Sequence, residues 1–170
     1  MKPALIIIAP VGYQDVELDG TRKGLVAGGY DIVIASSVTG MCHGKFGGTE
    51  TATIALHDVN VNGYDRLAFI GGPGASALVH DIGALNVARM AVKASIPLGA
   101  ICVAPMILAT AGVLSGKHAT VFDDGTKTQI NFIEQHGATF TDETVTVDGK
   151  IVTGNWPKAA EEFGRALNSL

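Results

Sequence analysis

The sequence has few charged residues, few cysteines and no cluster of basic residues. Charged residues make up 16% of the 170-residue chain, against 47% for apolar residues. This balance excludes an intrinsically disordered chain, which requires high charge and low hydrophobicity. The 12 lysines and arginines are scattered along a chain of net charge −4, so the basic patch that nucleic-acid binding requires is missing. We therefore expect a folded domain that does not bind nucleic acid.

The chain has only two cysteines, Cys42 and Cys102, too few for a disulfide framework. Neither belongs to a CxxC pair, and with the histidines they form no zinc-binding pattern. We predict no metal and no other cofactor. A chain that uses so little cysteine is typical of a reducing compartment, and we expect it in the cytoplasm.

No long hydrophobic run is best explained as a membrane span or a targeting segment. Residues 94–116 carry no charge and are long enough to cross a bilayer. However, they divide into an apolar strand, Cys102, and a helical run that begins at Pro105. The apolar run at the N-terminus is broken by Pro10 and has no small-residue cleavage site, so we expect no signal peptide and no membrane partner.

Short apolar runs rich in β-forming residues alternate with helical patterns, which is typical of a parallel sheet covered by helices. We predict strands at 4–9, 31–36, 66–71, 97–102, 118–122 and 150–154, and helices at 16–28, 84–94, 104–114, 126–136 and 157–168. The predicted fold class is α/β, a doubly wound, flavodoxin-like sandwich with helices on both faces. With no linker or repeat, residues 1–170 form a single domain.

Residues 37–63 interrupt this alternation. They are rich in glycine, threonine and histidine, and TETATIAL indicates an extra strand or an inserted hairpin. We expect this insertion at the edge of the sheet or in a subunit contact. The high apolar content also favours a homodimer or a larger homo-oligomer.

Cys102 lies where a buried strand turns directly into a helix. This arrangement is analogous to a nucleophile elbow, which exposes a reactive side chain at the carboxyl edge of the sheet. The N-terminus of the following helix favours the thiolate. The alternative is a buried cysteine that acts as a small hydrophobic residue.

Two further strand ends carry candidate residues. The turn that contains Gly71 and Gly72 leaves backbone N–H groups free for an oxyanion or a phosphate, although it lacks a full G-x-G-x-x-G and could be only a tight turn. Glu17 lies among three acids at a helix start, where acids stabilise the helix dipole in any case. Its apolar neighbours Val16 and Leu18 also allow it to point inward.

Several segments together resemble the ThiJ/PfpI superfamily over nearly the whole chain. They are DVEL at 15–18, GG at 71–72, AICVAP at 100–105, AGVL at 111–114 and IVTGN at 151–155. That superfamily includes deglycases, glutathione-independent glyoxalases, intracellular protease-like and amidotransferase-like proteins, and redox or stress-response proteins. The resemblance implies that Cys102 is the nucleophile and that Glu17 contacts its sulfur. It also implies that the backbone N–H groups of Gly71, Gly72 and Val103 face the reacting oxygen.

The sequence also departs from the superfamily pattern. Protease-like members carry a histidine directly after the cysteine, where this chain has Val103, so proteolysis is disfavoured. Other members have a histidine at the end of the following strand, where this chain has Asp123 and Asp124. Asp123 could be a polar partner there, or part of a solvated loop. Trp156 could form a wall of the pocket, or simply pack.

The predicted function is a cofactor-independent enzyme that acts on small aldehydes or glycated substrates, like the glyoxalases and deglycases. Cys102 would attack the aldehyde as a thiolate and Glu17 would transfer the proton. The first alternative is a redox-responsive stress protein whose Cys102 is oxidised. The second is an intracellular protease- or amidase-like hydrolase, and the third is an oligomeric protein without catalytic activity.

Overall fold

A computed structural model describes residues 2–170 as twelve strands and six helices. The strands are β1 (Ala4–Ile7), β2 (Val11–Tyr13), β3 (Ile32–Ser36), β4 (Gly40–Gly44), β5 (Thr49–Ala52), β6 (Ile54–Ala55), β7 (Arg66–Phe69), β8 (Leu98–Ile101), β9 (His118–Ala119), β10 (Thr139–Phe140), β11 (Val145–Asp148) and β12 (Ile151–Gly154). The helices are α1 (Asp15–Val26), α2 (Ala75–Leu78), α3 (Ile82–Lys93), α4 (Pro105–Thr110), α5 (Thr128–Gln135) and α6 (Ala160–Asn168). No helix within residues 2–170 is both long and apolar enough for a bilayer span.

Seven strands form the central sheet, in the order β11-β12-β8-β7-β1-β3-β6. All neighbours are parallel except β11, which runs antiparallel to β12. The chain builds outward from β1 in both directions, first through β3 and then through β7. The carboxyl ends of β1, β7, β8 and β12 therefore meet at one edge, where such sheets bind their ligands.

Helices cover both faces of this sheet, which confirms the predicted fold class. On one face, Leu18 of α1 and Phe163 of α6 belong to the same buried apolar cluster. Helices α1 and α6 pack closely where Gly24 faces Gly164. A Cβ on Gly24 would lie only 2.6 Å from the backbone nitrogen of Arg165, so there is no room for a side chain. On the other face, α3, α4 and α5 contribute to a second buried cluster, for example through Ile107.

The insertion at 37–63 folds as expected for a hairpin, but most of it leaves the central sheet. Strands β4 and β5 pair antiparallel, and β4 also pairs with β2, so that a separate three-stranded sheet forms. Strand β6 pairs with β3 and forms the edge of the central sheet, which confirms the expected edge position.

In the second half of the chain, one predicted strand is shorter than expected and one strand was not predicted. The strand predicted at 118–122 is limited to β9, which pairs with β10 outside the central sheet. Beyond β9, the backbone nitrogen of Thr120 donates to Oγ1 of Thr153 at 2.9 Å, so a side chain takes the place of a neighbouring strand. Strand β11 was not predicted, and it forms a hairpin with β12 around Gly149, whose φ is 61°.

Candidate active site

Cys102 occupies the turn between β8 and α4, as the sequence predicts. Its φ is 62°, a left-handed conformation that is unfavourable for any residue except glycine. Its backbone nitrogen donates to the carbonyl of Gly154 at 2.8 Å, and its carbonyl accepts from the nitrogen of Phe122 at 2.9 Å. These two hydrogen bonds fix the elbow to the end of β12 and to the segment after β9. The side chain is 7% exposed.

Glu17 reaches the same place from the first turn of α1. The helix is capped by Gln14, whose side chain accepts from the nitrogen of Val16. The Glu17 carboxyl is fully buried beside the Cys102 thiol, and the two groups shift each other's pKa. Its Oε2 accepts from the backbone nitrogen of Gly71 at 2.8 Å, while Oε1 has no hydrogen-bond partner within residues 2–170. Glu17 therefore points inward toward the thiol.

Gly71 separates the two side chains. A Cβ on this residue would lie 2.8 Å from the Cβ of Cys102 and 2.8 Å from Oε2 of Glu17, so no side chain fits here. Since its N–H group donates to Glu17, it does not face a substrate oxygen, which corrects the role expected from the resemblance. The backbone N–H groups of Gly72 and Val103 instead act on the Cys102 sulfur and lower the pKa of its thiol.

Burial controls the ionisation of this pair. It raises the pKa of Glu17 to about 8, against the weaker opposing effects of the neighbouring Cys102 thiol, of the hydrogen bond from Gly71 and of the Lys45 charge. Burial also raises the pKa of the Cys102 thiol, as does the charge of an ionised Glu17, while the N–H groups of Gly72 and Val103 lower it. Protonation of Glu17 removes that repulsion and provides an O–H donor for the sulfur.

A cleft of about 700 Å³ opens above Cys102. Its walls are mainly apolar and include Val79, Met106, Phe122 and Trp156. The rings of Phe122 and Trp156 meet edge to face, with centroids 4.7 Å apart, and Trp156 remains 41% exposed. Trp156 thus forms a wall of the pocket, one of the two roles considered for it.

Asp123, the other residue considered for the pocket, does not line the cleft. Its Oδ1 accepts from the backbone nitrogens of Gly125 and Lys127 and closes the loop before α5. Asp123 therefore has the role of a loop residue. No cluster of potential metal ligands occurs within residues 2–170.

Sequence reasoning did not assign a role to three polar residues that line the cleft, Gln14, Lys45 and Gln129. Lys45 comes from the β4–β5 hairpin, which folds over the pocket of its own chain. Its backbone nitrogen donates to the carbonyl of Tyr13 at 2.8 Å. No local motif marks Lys45, because its position depends on contacts with residues about thirty positions earlier.

Asp15 holds the tip of this hairpin. Its Oδ2 accepts from the nitrogen of Phe46 at 2.8 Å, and its Oδ1 accepts from the nitrogen of Gly48 at 2.7 Å. The carboxylate lies so close that a Cβ on Gly44 or Gly48 would collide with it. The first residue of α1 thus fixes the loop that carries Lys45.

Replacing Asp15 with alanine is expected to loosen the hairpin tip. Two charge-assisted hydrogen bonds are lost, each worth roughly 1.5–3 kcal/mol. We expect faster hydrogen exchange at the amides of Phe46 and Gly48, measured by NMR. Asp19→Ala removes an exposed acid from the same helix and serves as the control. Unchanged exchange at both amides in Asp15→Ala would show that the hairpin is held by other contacts.

Known proteins are similar to this chain in sequence and in fold. The chain is 29% identical to a deglycase of Pyrococcus abyssi over 90% of each protein. It is also 29% identical to the glutathione-independent glyoxalase DJR-1.2 of Caenorhabditis elegans, over 95% of this chain and 84% of that protein.

The crystal structure of a ThiJ/PfpI domain protein from Brachyspira murdochii superimposes with a TM-score of 0.92 at 24% identity, covering 99% of this chain and 96% of that one. Residues 2–169 match the DJ-1/PfpI family. Since the match extends over almost the whole chain, this protein belongs to the DJ-1/PfpI family.

Proposed function

We propose that this protein is a cofactor-independent enzyme that converts small reactive carbonyl compounds through Cys102 and Glu17. The observation that carries the proposal is the close approach of the buried Glu17 carboxyl to the Cys102 thiol at the floor of an apolar cleft, where both lie within reach of a single atom added to Gly71. Relatives named deglycase and glyoxalase, at about 29% identity, support a substrate of this class. We infer that Cys102 reacts as a thiolate while Glu17 holds the proton.

The first step forms a bond between the Cys102 sulfur and the aldehyde carbon. The carbonyl electron pair moves to oxygen, which takes the proton of Glu17 and gives a hemithioacetal. Because the sulfur loses its charge in this step, the N–H groups of Gly72 and Val103 become free to stabilise the developing oxyanion. Glu17 is then ionised beside the new carbon centre.

With methylglyoxal, the ionised Glu17 can remove the proton from the former aldehyde carbon. Glu17 returns this proton to the neighbouring carbon, while the hydroxyl proton moves from the oxygen of the first carbon to the oxygen of the second. The first carbon is thereby oxidised to a thioester and the second is reduced to an alcohol. Water then adds its hydroxyl to the thioester carbon and gives a proton back to Glu17, so that lactic acid leaves and the thiolate is restored. The sum is methylglyoxal plus water to lactate and a proton, so no external oxidant or reductant is needed.

The experiment measures lactate formed from methylglyoxal without glutathione, together with the pH dependence of Cys102 alkylation. Cys102→Ala is expected to abolish lactate formation, and Glu17→Gln to reduce it by roughly 10²–10⁴-fold. Cys42→Ala removes the other buried cysteine and serves as the control. Lactate formation by Cys102→Ala at the normal rate would overturn the proposal.

The same samples test the alternatives. Rapid alkylation without lactate formation, and with sulfinic acid at Cys102 after peroxide treatment, would favour the redox-responsive protein. The hydrolase alternative needs a general base, and no histidine is among the residues 2–170 that line the cleft. Slow alkylation and no turnover would indicate a protein without catalytic activity.

A further inference from the structure

Lys45 is the one charged side chain that lines the cleft within residues 2–170. It takes part in none of the ion pairs formed by these residues. In a chain of net charge −4, an unpaired ammonium group at the mouth of the cleft is a local positive site. A negatively charged ligand group would give this ammonium the partner that the protein does not provide.

The position of Lys45 is fixed by its backbone. Its own nitrogen is bound to Tyr13, and the next residue, Phe46, is bound to Asp15. Its Nζ lies 5.3 Å from the centroid of the Phe46 ring. The charge of Lys45 acts on the Glu17 carboxyl, so its field extends to the reacting end of the cleft. Lys45 and Cys102 line the same cleft, so one ligand could contact both.

The volume and the other walls of the cleft indicate the size and polarity of the rest of such a ligand. A volume of about 700 Å³ falls in the range of roughly 300–1,000 Å³ that accommodates drug-sized molecules. A three-carbon aldehyde would leave most of it empty. Phe122 and Trp156 offer apolar ring surface, and Gln129 has a buried Oε1 without a hydrogen-bond partner within residues 2–170.

We propose that the cleft selects carbonyl compounds that carry a carboxylate on an apolar body, and that Lys45 is the residue that selects them. The aldehyde lies at Cys102, the apolar body lies against Phe122 and Trp156, and the carboxylate pairs with the ammonium of Lys45. This inference rests on the proposed function, because it names the substrate class of the same site. It assigns Lys45 a role in specificity that is separate from the chemical step.

The first test compares phenylglyoxal with 4-carboxyphenylglyoxal, which differ by one carboxylate. We expect wild type to have the higher kcat/KM for the carboxylate compound, and Lys45→Gln to lower the ratio of the two values about tenfold. The ratio cancels changes in the Cys102–Glu17 pair, which both substrates share. Lys45→Arg should retain most of the preference, and Lys23→Gln removes a charge outside the cleft as the control. An equal ratio in wild type and Lys45→Gln would overturn the inference.

A binding experiment separates this inference from the proposed function. 4-Formylbenzoate and its methyl ester, which differ in charge, are titrated into Cys102→Ser and into Cys102→Ser/Lys45→Gln by calorimetry. Tighter binding of the acid that requires Lys45 supports the inference, even if wild type turns over no aldehyde and the proposed function fails. If aldehydes are converted but the acid and the ester bind equally, the inference fails and the proposed function remains.

Discussion

The Cys102→Ser variant is expected to lose stability steadily as the pH rises from about 4.5 to about 8. The cause is Glu17, whose carboxyl is fully buried and whose pKa is raised from 4.5 to about 8, chiefly by burial. In the unfolded chain the same carboxyl ionises near its ordinary pKa. The folded variant therefore holds one more proton than the unfolded chain throughout this pH range.

The sign of the effect follows from the proton count. Unfolding releases the proton of Glu17, so higher pH favours unfolding, and the stability that is fully present below pH 4.5 is lost as the pH rises through about 8. The free energy of unfolding should fall by about 1.4 kcal/mol per pH unit, or on the order of 5 kcal/mol in total. Urea denaturation at several pH values measures this slope. The double variant Cys102→Ser/Glu17→Gln lacks the carboxyl and should show none of it.

Wild type should behave differently if Cys102 is a thiolate. The folded pair then has one proton, on Glu17, and the unfolded pair also has one, on the thiol. Because the counts are equal, the pair contributes no slope between about pH 5 and 8. A slope as steep as that of Cys102→Ser would show that the folded protein keeps both protons, and would contradict the proposed thiolate.

Gly71→Ala is expected to destroy the site while the rest of the fold persists. The added Cβ would lie 2.8 Å from the Cys102 Cβ, from Glu17 Oε2 and from the carbonyl oxygen of Ile101. All three atoms are buried, so the pair must separate to make room. We expect a stability loss of about 1–3 kcal/mol. Because displacement of reacting groups by 1 Å can cost roughly 10²-fold, we expect at least that loss in aldehyde turnover.

Gly63→Ala is the matched control for this variant. Gly63 lies in a 3-10 turn, where nothing is within 4 Å of an added Cβ. Both variants are compared in aldehyde turnover, in the rate of Cys102 alkylation and in thermal unfolding. Normal turnover in Gly71→Ala would show that the close contact between Cys102 and Glu17 is not needed for the reaction.

The strands of the central sheet are largely predictable from sequence, because most are uninterrupted apolar runs between turn residues. The 118–122 segment fails since its amides find other acceptors, such as Oγ1 of Thr153. Strand β11 was missed although its signal is present: TVTVDGK alternates polar and apolar residues before an Asp-Gly turn. The two errors thus have different causes. The 118–122 segment depends on long-range hydrogen bonds, whereas β11 has a local sequence pattern that predicts it.

At the candidate site, the sequence indicates the residues at strand ends but not the contacts between them. Cys102 was identified because an elbow is a local feature, whereas the helix start left the role of Glu17 open and the resemblance to the superfamily supplied it. The partner of the Gly71 N–H group depends on a side chain 54 positions away in sequence. The placement of Lys45 over the cleft depends in the same way on Asp15 and Tyr13. Such contacts between distant residues are not encoded in any short motif.

The left-handed backbone at Cys102 has an evolutionary consequence. For a residue with a Cβ, this conformation costs roughly 1–2 kcal/mol, and glycine would adopt it without that cost. Selection for thermal robustness alone would thus favour glycine at position 102. The presence of cysteine means that the protein gives up part of a narrow stability margin. Such a trade-off is expected when the thiol contributes to the fitness of the organism.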